Sequence, residues 1–182
     1  YYLKGGLSYG GPCFPRDNRA FAAFAGEFGI NALLAKTTDE VNMLQVKNLV
    51  KKVLAFIPEQ KQAVAVLGLS YKPGTPIIEE SPGVKIIEEL LKNKDIEIIA
   101  YDPLAIDNAK AYFGDTILYA SSVKDCFKNA PVCIITTQAE EFKSIDETYI
   151  VHDPTVVIDC WRILETGKLG QKVKLIPLGR AE

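Results

Sequence analysis

The sequence predicts an α/β protein in which a helical segment is followed by a doubly wound parallel sheet. Three observations predict it. From Lys61 onward, short apolar runs alternate with helix-length stretches, the pattern of strands joined by crossover helices. The strand-like runs are continuously apolar, as in strands covered on both faces. Before Lys61 the apolar residues follow helical spacing instead.

Residues 1–13 form a glycine-rich lead-in with Gly5, Gly6, Gly10 and Gly11. Pro15 suits the first helical position. The helix it opens carries Ala20, Phe21, Phe24 and Ala25 and stops near Gly29. In Thr37-Thr38-Asp39-Glu40, a threonine three residues before a glutamate predicts a second helix start. That helix spaces Val41, Leu44, Leu49, Val50, Val53, Leu54 and Ile57 along one face and ends at Pro58. Strands are expected at Ala63–Leu67, Glu97–Tyr101, Ile117–Tyr119, Val132–Thr136, Val156–Cys160 and Lys174–Pro177. Helices fit between them near 82–93, 105–113, 121–129 and 139–149, the first opened by the capping pair Ser81-Pro82. Two units are therefore expected, 1–58 and 59–182.

Charge and cysteine content narrow the function classes. Lys and Arg number 21 against 23 Asp and Glu, a net charge of −2, so nothing electrostatic favours nucleic acid or an anionic membrane. No apolar run approaches the ~20 residues needed to span a bilayer. No secretory signal pattern is visible. With no CxxC pair and a single histidine, His152, no metal site is expected. Cys126, Cys133 and Cys160 lie in or beside apolar runs and read as buried thiols, pointing to a reducing, cytoplasmic setting. The first residue is Tyr, and the chain opens almost directly on the glycine-rich loop; a piece of a longer chain is expected.

The segment Gly10-Gly11-Pro12-Cys13-Phe14-Pro15-Arg16-Asp17 concentrates the chemistry. Paired glycines let backbone approach a ligand closely or adopt positive φ. A cysteine just before a helix start meets free N–H groups and the helix dipole, which favour a thiolate. Asp17 in the first turn is placed to order water or move protons, and Arg16 to hold an anion. Taken singly, Cys13 also fits a small buried hydrophobe, and Asp17 a helix-start residue. The combination favours a nucleophile. Acyl transfer built on Cys13 would need a histidine base, and His152 reads as a surface residue in an unrelated turn.

This segment, preceded by Tyr2-Leu3-Lys4 and Tyr9, resembles the active-site stretch of the UDP-glucose/GDP-mannose dehydrogenase family. It departs at Ser8 for glycine, Pro12 for serine and Arg16 for lysine. A second stretch, Tyr71-Lys72-Pro73-Gly74-Thr75 through Glu80-Ser81-Pro82, resembles the family's next motif, with Pro76 and Ile77 in place of two acids and Glu79 in place of an arginine that reaches the cofactor. Asp159-Cys160-Trp161-Arg162 is similar to the family's D-x-R segment with one residue more. The resemblance covers essentially the whole chain.

The resemblance implies an NAD-dependent four-electron oxidation of a nucleotide sugar to its uronic acid. The substrate would be a UDP-hexose or UDP-N-acetylhexosamine, with GDP-mannose as an alternative. Cys13 would be the nucleophile, passing through a thiohemiacetal and a thioester, with Asp17 as its partner carboxylate. Tyr2, Leu3, Lys4, Tyr9, Gly10, Tyr71, Lys72 and Arg162 would bind substrate. The 41–57 helix would form a homodimer. NAD would be bound mainly by an N-terminal domain absent from this chain, which leaves a non-catalytic binding and dimerisation module as the alternative for these residues alone.

Other readings come from the residues themselves. After the strand ending at Leu67, Gly68-Leu69-Ser70-Tyr71-Lys72-Pro73 lacks the G-x-G-x-x-G of a dinucleotide loop. Asp102, ending the next strand, sits where an acid could meet a ribose, although Asp-Pro also simply begins a turn. Lys72 alone reads equally as a solvated loop lysine, and Trp161 as packing.

Overall fold

The computed structural model describes residues 5–57, 62–92 and 96–179. Two helices come first, α1 (Phe14–Glu27) and α2 (Leu33–Leu54). The remainder alternates β1 (Gln62–Leu67), α3 (Pro82–Leu90), β2 (Ile96–Tyr101), α4 (Ile106–Phe113), β3 (Leu118–Tyr119), α5 (Val123–Asn129), β4 (Val132–Ile135), β5 (Thr155–Asp159) and β6 (Val173–Pro177). The six strands pair in parallel in the order β3-β2-β1-β4-β5-β6. This is the doubly wound, Rossmann-like arrangement that the continuous apolar runs predict. The order in which successive strands are added reverses between β1 and β4, the place where such sheets open a crevice at their strand carboxyl ends.

Alternate side chains of each strand enter two cores. Val64, Val66, Ile98, Ile134 and Ile158 face one side, where they meet Ile86, Ile87 and Leu90 of α3. Ala65, Leu67, Cys133, Ile135 and Val157 face the other, under Phe127 of α5 and the buried Phe142 and Ile145. Period-two alternation with both faces apolar explains why the strands read as unbroken hydrophobic runs.

Two predicted helix boundaries are corrected. α2 begins at Leu33, not beyond the Thr37–Glu40 signature. Thr38 Oγ1 donates to the Leu34 carbonyl at 2.7 Å, one turn back inside the helix. Residues 139–149 form two short 3₁₀ turns, Glu140–Ser144 and Glu147–Tyr149, rather than one helix. Asp146 interrupts by accepting from the Thr148 backbone N–H and hydroxyl, a local bond that competes with helix.

The apolar face of α2 divides. Val46, Leu49, Val50 and Val53 are buried in the same core as β1 and α3. Val41, Met43 and Leu44 are exposed, as are Phe14, Phe21 and Phe24 of α1 and its C-cap Phe28. The hydrophobic core thus continues from α2 across residue 58, the expected boundary between units, which lies outside the described residues. No helix among the described residues is long and apolar enough to cross a membrane.

Candidate active site

Three segments converge at the carboxyl ends of the strands: the loop through Cys13, the loop after β1, and the residues after β5. The first touches both others. Gly6 packs on the Trp161 ring, and Arg162 donates from one guanidinium nitrogen to the Gly5 carbonyl and from another, at 3.0 Å, to the Leu178 carbonyl. Trp161 Nε1 donates to the Thr136 carbonyl at 2.8 Å, tying this cluster to the end of β4.

Further along the loop, Gly11 N–H donates to the Glu79 carbonyl at 3.1 Å. Gly11 has φ +91°, and a Cβ there would lie 2.6 Å from the Tyr71 ring. A Cβ on Gly10 would lie 2.2 Å from the Glu80 carbonyl oxygen. The two glycines are required here by close approach to the loop after β1, with Gly11 also needing the left-handed backbone.

The other flank of the loop is held by α2. Asn42 is buried and matches Tyr9 through both amide groups: Tyr9 N–H donates to Oδ1 at 2.8 Å, and Nδ2 donates to the Tyr9 carbonyl at 3.0 Å. The Tyr9 hydroxyl donates to Asp39. Burial first, and then the bond to that carboxylate, hold the phenol's pKa well above its ordinary value, so it remains a donor. The Tyr9 ring meets Phe14 edge-on at 4.7 Å between centroids. A groove of about 450 Å³ lies beside this contact, lined in part by Ser8, Leu34, Thr38 and Gln45.

Cys13 is the N-cap of α1, followed by Phe14 at the first helical position and Pro15 at the second. Its carbonyl accepts from Asp17 N–H at 2.8 Å. Cys13 is exposed, whereas Cys126, Cys133 and Cys160 are buried. Burial pushes the Cys126 thiol up to about 12 and raises Cys133 and Cys160 as well, which keeps these three protonated and unreactive. The Asp17 carboxylate pairs with Arg16 Nε at 2.9 Å, both exposed.

Lys72 is exposed, its ammonium 5.3 Å from the centroid of the Tyr71 ring. The structure therefore gathers Tyr9, Gly10, Tyr71 and Arg162 around the Cys13 loop and sets Lys72 beside Tyr71. Arg162 grips backbone from two segments and has φ +56°. Tyr2, Leu3 and Lys4 lie outside the described residues.

Asp102 has a different role from the ribose contact considered above. It is 2% exposed. One carboxylate oxygen accepts from Leu69 N–H, Ser70 N–H and the Ser70 hydroxyl at 2.8, 3.0 and 2.9 Å. The other accepts from Leu104 and Ala105 N–H, both at 2.9 Å. All five donors are internal, so the carboxylate is committed to holding the loop after β1. With that acid engaged and no G-x-G-x-x-G, the described residues do not form a dinucleotide cradle.

Glu80, Arg19, Asp39 and Asn42 were not among the site residues expected from sequence. Asn42 left a signal: residues 42, 46, 49 and 53 share one helical face, so a polar residue stood in line with buried valines and a leucine. Glu80 carries φ +54°, a conformation costing a non-glycine residue about 1–2 kcal/mol. Burial opposes its charge, but hydrogen bonds from Arg19 and Lys85 outweigh that and hold its carboxyl below the usual glutamate range. A cleft of about 460 Å³ adjoins it, lined by Ile78, Val84, Glu88 and Tyr112 among others; Cys13 is not in its wall.

Fold and site together define a class: a doubly wound parallel domain whose strand ends carry a cysteine-bearing loop supplied by a preceding helical segment. Known proteins match both stretches of the sequence. Residues 65–166 match the UDP-binding domain of the UDP-glucose/GDP-mannose dehydrogenase family, and residues 1–43 match that family's central domain. The UDP-glucose 6-dehydrogenase of Haloferax volcanii is 34% identical over 163 residues, covering 90% of this chain and 37% of the relative. That of Rickettsia prowazekii is 32% identical over 169 residues, covering 90% and 39%. A UDP-glucose dehydrogenase structure from the archaeon Pyrobaculum islandicum superposes with a TM-score of 0.81 at 27% identity, over 98% of this chain and 39% of that one. The chain belongs to the UDP-glucose/GDP-mannose dehydrogenase family. It spans less than two-fifths of the length of these relatives.

Proposed function

We propose that this chain supplies the nucleophile and the nucleotide-side contacts of an enzyme that oxidises a UDP-hexose or UDP-N-acetylhexosamine to its uronic acid. The observation that carries the reading is the docking of the Cys13 loop onto the loop after β1 at Gly10, Gly11 and Tyr71. It puts an exposed thiol on the same strand-end surface as a segment of the family's UDP-binding domain. In this reading Cys13 sulfur adds to the aldehyde carbon of the half-oxidised sugar, and the thiol proton passes to the carbonyl oxygen, giving a thiohemiacetal. Once the bound carbon has been oxidised to a thioester, water releases the acid and restores the thiol. Asp17, freed from Arg16, would order that water. Lys72, Tyr71 and Arg162, with Tyr2, Leu3, Lys4, Tyr9 and Gly10, would line the substrate.

NAD is proposed as hydride acceptor, held outside the described residues, which do not fit it. The exposed apolar surface of α1 and of α2 up to Leu44 is assigned to self-association as a homodimer, because Val46 to Val53 are already committed to the intramolecular core.

Calorimetric titration of the chain with UDP, GDP and NAD tests the substrate side. UDP is expected to bind, to bind at least tenfold more weakly to Lys72→Ala, and to be preferred over both other ligands. Tighter binding of GDP would move the reading to a GDP-mannose enzyme. Binding of NAD without UDP would remove it.

A further inference from the structure

We propose that Glu80 is the positioning residue that sets the Cys13 loop on the α/β domain, a role resting on the reading of Cys13 as the nucleophile. Its side chain joins two helices. One carboxylate oxygen accepts from Arg19 of α1 at 2.6 Å, and the other from Lys85 of α3. α1 is the helix that Cys13 caps. The Glu80 backbone faces the same loop. Its carbonyl lies against Gly10, while the preceding carbonyl, of Glu79, takes the Gly11 N–H. One residue thus touches the nucleophile's loop from below and anchors the nucleophile's helix from the side.

The corner is built around that role. The Glu80 backbone sits in the left-handed region, where an ordinary side chain is disfavoured, so its place must be fixed by its surroundings. The loop leading to it closes on itself through Tyr71 N–H to the Ile77 carbonyl and Ser81 N–H to the Ile78 carbonyl, both 3.0 Å. The Glu80 and Lys85 side chains are 25% and 16% exposed, against 56% for Arg19. The inner pair is therefore the shielded one, and Arg19 is the arm that reaches out to α1. A small displacement of a nucleophile lowers turnover far more than it lowers binding, so the effect should fall on kcat.

The test uses Glu80→Gln, which keeps shape and loses charge, with Arg19→Met as a second variant and Arg19→Lys as the conservative rescue. In the full chain, hydrogen exchange at the Gly11 amide is expected to speed up about tenfold in Glu80→Gln and Arg19→Met, with Val64 and Val66 amides unchanged. The rate of Cys13 alkylation by iodoacetamide should shift at least threefold in both, and Arg19→Lys should restore both readouts. In nucleotide-sugar oxidation, kcat should fall about tenfold with KM within threefold. Unchanged Gly11 exchange or unchanged alkylation in Glu80→Gln overturns the proposal, as does altered exchange with kcat intact. If exchange and alkylation shift as expected but the wild-type protein oxidises no nucleotide sugar, the coupling stands and the nucleotide-sugar reading fails.

Discussion

On the proposed reading, replacing Cys13 by serine is expected to lower uronic acid formation at least about a thousandfold, with nucleotide binding unchanged within a factor of three. Serine keeps the size and position of the side chain at the N-cap of α1. It loses the nucleophilicity, because a hydroxyl is far less ionised than a thiol at neutral pH. His152 does not serve as a base: its ring Nε2 lies 3.1 Å from the Lys128 carbonyl, at the far end of α5. The three remaining thiols cannot substitute, being buried and protonated. Product analysis of the intact protein measures the effect. Acid formation within tenfold of wild type would assign the chemistry to another group.

Replacing Asp102 by alanine is expected to cost about 4 kcal/mol of folding stability, with a fall in Tm of about 10 °C for a chain of this size. The carboxylate accepts five internal hydrogen bonds while 2% exposed. Its removal leaves four backbone N–H groups and one hydroxyl without their acceptor, and each buried orphan costs about 1–3 kcal/mol before relaxation and water entry reduce the total. The loop after β1 loosens with it, since Leu69 and Ser70 open that loop, so nucleotide binding should weaken together with stability. Urea denaturation and calorimetry on the same variant check both effects. A loss below 1 kcal/mol would mean that the carboxylate does not hold the loop.

Much of the fold was legible because strands buried on both faces leave a mark that needs no tertiary information. Ala63–Leu67, Glu97–Tyr101 and Val156–Cys160 read as strands from their composition alone, and Ser81-Pro82 announced α3 with the serine hydroxyl accepting from Gly83 N–H. The missing dinucleotide glycines were equally plain. What was not legible depended on partners distant in sequence. The signature at Thr37–Glu40 looked like a helix start, but Asp39 is used to hold the Tyr9 hydroxyl, and the helix begins upstream. Residues 139–149 carried helical spacing, yet Asp146 bonds locally and breaks it.

The same distinction applies to the site. Cys13, Gly10 and Gly11 stood out because a glycine pair, a cysteine and a helix start come together in the sequence, and the structure finds Cys13 exposed at the N-cap of α1. Asp102 read as a turn residue or a ribose ligand, since nothing in Tyr101-Asp102-Pro103 shows that Leu69 and Ser70 will fold back onto it. Glu80 carried no sign of its left-handed backbone, because its partners, the Gly10–Gly11 loop and Arg19, lie more than sixty residues earlier.

Acid-quenched turnover followed by mass spectrometry addresses the nucleophile most directly. On the proposed reading, the intact protein is mixed with UDP-glucose and NAD, and Asp17→Asn is used to slow release of the acyl group. The peptide carrying Cys13 is expected to gain the mass of the nucleotide-bound uronyl group, and the peptides carrying Cys126, Cys133 and Cys160 to gain nothing. Acid production with no adduct on Cys13, or with an adduct on another residue, would contradict the account.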